Sequence, residues 1–337
     1  MAHEIYRDKN GKDCFAYVGE EAWHGLGTKM DAAATIADWE REAGFQWQIK
    51  ERVAAANVPA AGDEEAFTIE FPERKLLYRS DTRAPLAIVG ANYKVVQPKE
   101  ILHFYEDLTR SAGFTLETAG MLFGGKRFWA LAKINKEAQF VVPNDAVGGY
   151  LLLNTSCDGS LATSADFTSV RVVCNNTLTM ALRENSATRV RVPHNTTFDP
   201  NAVKAELGIG EGVYNQFMSD MRRLAAHPLT TGDALTALKE IVGDAHLPYE
   251  AQEPAVFKQI GDLYHLYSGA AMGADRAGQT SWGLLNAVTE WTDHHTRHRT
   301  YDARIASAWF GPNASLKRRA AEHLLEHYAG GMAVSEV

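Results

Sequence analysis

Several stretches of the sequence carry side chains able to bind or to react. Gly124-Gly125-Lys126-Arg127 joins two glycines to two cations, and Phe128-Trp129 follows at once. Backbone N–H groups opened by glycine, with two cations beside them, can receive a phosphate, and an aromatic ring can stack on a base. The Gly-x-x-x-x-Gly-Lys-Ser/Thr spacing is absent, so this is not a Walker loop, and a plain basic β-turn is the competing reading. Lys94, Arg74, Arg79 and Arg83 lie on neighbouring predicted strands or turns and could extend the same face.

Arg171-Val-Val-Cys174-Asn175-Asn176-Thr177 is the densest polar stretch together with Asn154–Ser160. An arginine on an apolar strand needs an acceptor, which is either an acid or a phosphate. Cys174 at the start of a helix would have nucleophile chemistry. No histidine is tied to it by pattern, so we expect a structural cysteine. Glu290, His294 and His298 invite a metal reading, with the two histidines one helical turn apart. The acid precedes the histidines instead of lying between them as in His-Glu-x-x-His, and a third ligand is unspecified, so we expect no metal. Lys317, Arg318 and Arg319, with Arg297, Arg299 and Arg304, make the end of the chain locally basic. That is either a solvated face or part of a phosphate-tracking groove. Trp23-His24-Gly25-Leu26-Gly27-Thr28 reads as a tight turn against an aromatic anchor.

These residues sit in a chain of 337 residues with 34 Lys+Arg against 42 Asp+Glu, a net charge of −8. An acidic balance excludes a surface that is basic throughout, so a nucleic-acid site requires cations gathered on one face. Three scattered cysteines give neither a disulfide framework nor a Cys-x-x-Cys zinc site, and a reducing cytoplasm is the expected compartment. No apolar run approaches the roughly 18–20 residues of a membrane span, and Met1–Lys9 has no apolar leader stretch.

The elements expected to position them divide by composition near Pro200. Up to residue 195 the pattern is mixed α/β with antiparallel hairpins; residues 200–329 are mainly helical; 330–337 form a frayed tail. The fold class expected is therefore α+β. Helices are predicted over 33–43 and 99–111, the latter opened by Pro98. Hairpins are predicted at Gly124-Gly125 and Asp158-Gly159. Residues 54–65 read as a loop or edge hairpin, 169–173 as a short strand and 175–183 as a helix. Later helices are predicted over 200–207, 211–226, 231–242, 254–267, 281–297 and 316–328.

The blocks Trp23-His-Gly-Leu-Gly27, Ile88-Val-Gly-x-x-Tyr-Lys-Val-Val-Gln97 and Thr118-Ala-Gly-x-Leu-x-Gly-Gly-Lys-Arg-x-Trp129 together resemble phage/plasmid-like proteins that carry a domain of unknown function. So do Asp158-Gly-Ser160, Arg171-Val-Val-Cys-Asn-Asn-Thr-Leu178 and Trp282-Gly-x-x-Asn-Ala-Val-Thr-Glu-Trp-x-Asp-His294. The resemblance covers roughly residues 20 to 325 and implies a home in phages, prophages and plasmids, with no activity and no catalytic residues. The order of elements is also similar in pattern to single-strand annealing proteins of recombination. The expectation is a cytoplasmic, oligomeric protein without cofactor that binds single-stranded nucleic acid, most naturally DNA. Its contacts would be Lys94, Lys126, Arg127, Trp129, Arg171, Arg297, Arg299, Lys317 and Arg318. The alternatives are a metal-dependent hydrolase or nuclease on His294 and His298, and a non-catalytic protein acting on a host protein.

Overall fold

A capping box starts helix α1 (Ile36–Glu42): Thr35 accepts from the Asp38 N–H while the Asp38 carboxylate accepts from the Thr35 N–H. Gly44 ends it at φ +75°, where a Cβ would lie 2.7 Å from Cys14 Sγ. Pro98 opens α2 (Pro98–Ala112), at a position whose N–H has no helical acceptor. Ile101, Leu102, Phe104 and Tyr105 of α2 are fully buried.

The computed structural model describes residues 11–12, 14–19, 27–61, 65–112, 114–134, 137–171, 177–179, 189–197, 199, 201–203 and 211–329. The chain forms two units. One comprises Met1–Asn135, Leu151–Ala165 and Arg189–Leu207; the other comprises Lys136–Tyr150, Asp166–Thr188 and Gly208–Val337.

The first unit holds two sheets. A three-stranded antiparallel sheet is made by β3 (Ile49–Val58), β4 (Phe67–Arg79) and β5 (Pro85–Gly90), in the order β3-β4-β5. The second sheet contains β1 (Phe15–Tyr17), β2 (Thr28–Lys29), β6 (Thr115–Leu122) and β7 (Arg127–Lys133), joined by parts of β9 (Asp145–Ser156) and β10 (Thr163–Arg171). Helix α2 packs on β6 and β7. The buried Tyr105 hydroxyl lies 2.9 Å from both Ala130 O and Leu151 O and accepts the Leu153 N–H at 2.8 Å.

The second unit is mainly helical. Among the described residues it includes β8 (Gln139–Val142), which pairs with the start of β9, and β11 (Thr177–Thr179), which pairs with the end of β10. Its helices are α3 (Glu211–Ala225), α4 (Thr231–Val242), α5 (Pro254–His265), α6 (Ala274–Ala277), α7 (Ser281–Glu290), α8 (Tyr301–Phe310) and α9 (Pro312–Tyr328). All ten residues of α7 are buried, which makes it the centre of this core. No described helix is long and apolar enough to cross a membrane.

The α+β class is as the sequence indicates, with local differences. Of the two readings of 54–65, loop or edge hairpin, the hairpin holds for residues 54–58, which continue β3 because each pairs with a residue of β4 in register. Thr177–Thr179, expected inside a helix, form β11, held by ladder bonds to β10 in a Thr-Leu-Thr run of good strand formers. The helix expected over 281–297 gives way after Glu290 to a π-helical turn, Trp291–His295. The stretch 301–310 is an additional helix.

Candidate nucleic-acid interface

Register determines what the β3-β4-β5 sheet presents. Residues directly opposite each other across an antiparallel pair share a face, and alternate residues along a strand do likewise. Lys50 opposes Tyr78, Arg52 opposes Leu76, and Leu76 opposes Ile88. Further along β3, Ala54 opposes Phe71, Ala56 opposes Ile69 and Val58 opposes Phe67. These even-numbered β3 positions and their partners form one continuous face, and Arg74 joins it two residues before Leu76. It carries three exposed cations, Lys50, Arg52 and Arg74, none of which has an ion-pair partner among the described residues. It also carries Tyr78 and the apolar side chains Ile88 (65% exposed), Phe67 (50%) and Phe71 (41%). Two of the acids lie elsewhere, whereas Glu73 adjoins Arg74. Glu51 is on the opposite face, where Lys75 meets it at 3.0 Å, and Glu70 opposes Ala55 on that same far side.

The face depends on a bulge. Val53 and Ala54 are adjacent on β3, but their partners Lys75 and Phe71 are four apart on β4. The extra residues Pro72, Glu73 and Arg74 stand out of the ladder with β3, as Pro within a strand requires. Next to the bulge is an open cleft of about 510 Å³, bounded by Glu73, Arg74, Asn92, Tyr93, His194 and Asn195. Tyr93 and His194 stack with ring centroids 4.5 Å apart and planes 17° apart. The Tyr93 hydroxyl donates to Ser156 O at 2.8 Å. The imidazole lies between two carbonyls, with Nδ1 3.1 Å from Lys94 O and Nε2 2.9 Å from Leu161 O.

The glycine hairpin works differently from its sequence reading. Gly125 is buried, its N–H is bonded to Leu122 O, and a Cβ on it would lie 2.5 Å from Trp47 Cζ2. The turn is therefore packed and not an open anion cradle. Buried Arg79 fixes it: the guanidinium donates to Gly124 O at 3.0 Å, forks onto Asp81 at 2.9 and 2.7 Å, and lies 4.0 Å over the Trp47 ring. The hydrogen bonds from Arg79, with its charge, hold the Asp81 carboxyl below the usual range. Lys126 is half-buried and Arg127 donates to Ser160 Oγ at 3.1 Å. Behind them, Cys157 donates to Gly125 O, and burial, aided by the Asp158 charge, pushes its thiol up to about 12.

Two expected contacts need correction. Trp129 is 2% exposed and meets Phe15 at 5.7 Å; a ring inside the core offers no face to a base. Lys317 is also 2% exposed, with Nζ 2.6 Å from Asp293 Oδ1 and 2.8 Å from Thr177 Oγ1, so it is a core residue and not a groove cation. Asp293 Oδ2 accepts from Thr177 N at 2.8 Å and from Thr177 Oγ1 at 3.1 Å. Burial pushes the Lys317 ammonium down, opposed by the Asp293 charge. Lys94, Arg297 and Arg299 are exposed, and Arg318 is half-buried beside Glu322. Lys94, Lys126 and Arg127 belong to the first unit, whereas Arg171, Arg297, Arg299, Lys317 and Arg318 belong to the second. The backbone of Arg171 ends β10; its side chain, Cys174 and residues 23–26 lie outside the described positions. His294 is in the π turn and His298 lies beyond it, after Thr296 turns extended, so the pair does not share a helical face. Among the described residues no group of three or more His, Cys, Asp or Glu is placed to hold a metal ion.

The residues that sequence reading missed are Lys50, Arg52, Tyr78, Phe67 and Phe71. Their signal was the period of two in Lys50-x-Arg52 and in Phe67-x-Ile69-x-Phe71. Residues 85–309 match a family model described as a domain of unknown function (DUF932). No curated protein and no solved structure matches the chain.

Proposed function

The chain belongs to the DUF932 family, a domain of unknown function, and from that premise we propose that it binds single-stranded nucleic acid through the outer face of the β3-β4-β5 sheet. The observation that carries the reading is the shared face of Lys50, Arg52, Arg74, Tyr78, Phe67 and Phe71, with Glu51 and Glu70 turned away. Cations track phosphates while rings accept bases from a strand whose bases are unstacked. Most of this face precedes the matched stretch, which begins at residue 85, so it is argued from this chain alone. DNA annealing in recombination, in the setting of a phage or plasmid, is the biological role we propose; the ordered sequence blocks support that setting. We include an oligomer in the proposal.

The test is fluorescence anisotropy with a labelled 20-nucleotide strand from low to high salt. Binding by the wild type should weaken as salt rises. K50A/R52A/R74A should lower the log–log slope by about 2, at about 0.7 for each phosphate that is no longer neutralised. Its melting temperature should be unchanged, because exposed cations contribute little to stability. No salt-sensitive binding at micromolar protein sinks the proposal, and so does an unchanged slope in the triple variant.

A further inference from the structure

We propose that the cleft beside the β4 bulge takes one unstacked nucleobase bearing an exocyclic amino group, so that the protein prefers adenine, cytosine or guanine there over thymine or uracil. This rests on the nucleic-acid reading and deepens it. The cleft, of about 510 Å³, lies within the range of small-molecule sites and shares Arg74 with the sheet face. A strand lying along Lys50 and Arg52 would thus bring its backbone past Arg74, whose guanidinium suits a phosphate.

The wall of the cleft is aromatic and held in place. Tyr93 and His194 stack on each other, the Tyr93 hydroxyl is anchored on Ser156 O, and the imidazole is clamped between the carbonyls of Lys94 and Leu161. Rings held this way offer a base a flat surface without first having to be ordered. The polar edge is supplied by Glu73, Asn92 and Asn195. The Glu73 backbone is fixed by the Ala91 N–H, which donates to Glu73 O at 2.9 Å, whereas its carboxylate has no partner among the described residues. A carboxylate only accepts hydrogen bonds. It repels phosphate, so in a strand-binding cleft it faces a base. An exocyclic amine donates to it, as cytosine N4 does to acidic side chains. Thymine and uracil instead flank a single N–H with two carbonyl oxygens, which face a carboxylate unfavourably.

The probe is a set of labelled 12-nucleotide strands, all thymidine or with one central dC, dA or dG, measured by anisotropy at fixed salt. The wild type should bind the amino-base strands about five- to tenfold more tightly than the all-thymidine strand. E73Q should bring that ratio within about twofold while still binding all-thymidine, since a glutamine amide both donates and accepts. A wild-type ratio within twofold overturns the inference, as does an E73Q protein that keeps the full preference. Those outcomes leave strand binding itself intact. Failure to bind any strand removes both the inference and the reading beneath it.

Discussion

Replacing Lys317 by methionine is expected to destabilise the second unit by about 3–5 kcal/mol, the usual cost of leaving one half of a buried ion pair. Methionine keeps most of the apolar stem, so the loss isolates the ammonium. Nζ lies 2.6 Å from Asp293 Oδ1, and neither side chain is more than 7% exposed. Without it, the carboxylate retains only the donors of Thr177, at 2.8 and 3.1 Å on the other oxygen. Water has little access to make up the difference. In K317M/D293N both charges are gone, and the amide oxygen still accepts from Thr177. The double variant should therefore recover at least half of the single loss, a coupling of about 2 kcal/mol or more. Urea unfolding followed by circular dichroism at the helical band measures all four proteins of the cycle. A K317M protein within about 1 kcal/mol of wild type, or single effects that simply add, would refute the assignment of Lys317 to a buried pair.

Three further outcomes are expected. Tyr105→Phe should cost about 1–3 kcal/mol in denaturant unfolding, because it leaves the buried Leu153 N–H without the hydroxyl that accepts it at 2.8 Å; a loss under about 0.5 kcal/mol would contradict this. The raised Cys157 thiol holds almost no thiolate at pH 8, so alkylation read by peptide mass spectrometry should be at least roughly a hundredfold slower than in the unfolded chain. Labelling should speed up as pH climbs toward 12, and fast labelling at pH 8 in the folded protein would contradict the burial. K126A/R127A should change the salt slope of strand binding by less than about 1, because Arg127 is already held by Ser160 Oγ and Lys126 is half-buried; a drop of 1 to 2 would return the hairpin to the interface.

The hairpin at Gly124-Gly125 and the helix opened by Pro98 were legible because turn chemistry and local periodicity specify them within a few residues. The β3-β4 ribbon was legible only as one of two readings of 54–65, a loop or an edge hairpin. The alanines of 54–56 are poor strand formers, and the pairing is fixed by Phe67–Phe71 of the partner strand. The proposed face was hidden for a related reason: a three-residue bulge around Pro72 decides which β4 residues join Lys50 and Arg52, and local spacing does not reveal a bulge. Lys317 was misread from its neighbours, since Lys317-Arg318-Arg319 looks solvated as a run. Its helical partners Ala320, Ala321 and Leu324 are all buried, and that three-four spacing places Lys317 on the inner face of α9. Trp129 follows the same lesson on a strand, because β7 buries consecutive residues Phe128 to Ala132 on both its faces.

Photo-crosslinking reports which side chains a bound strand touches. A single strand carrying 4-thiothymidine at successive positions would be irradiated on the protein at low salt and the crosslinked peptides sequenced. Crosslinks at Phe67, Phe71 or Tyr78, absent in K50A/R52A/R74A, are the result expected of a strand lying on the β3-β4-β5 face. Crosslinks confined to the 297–319 region, or none at a protein concentration where binding saturates, would contradict it.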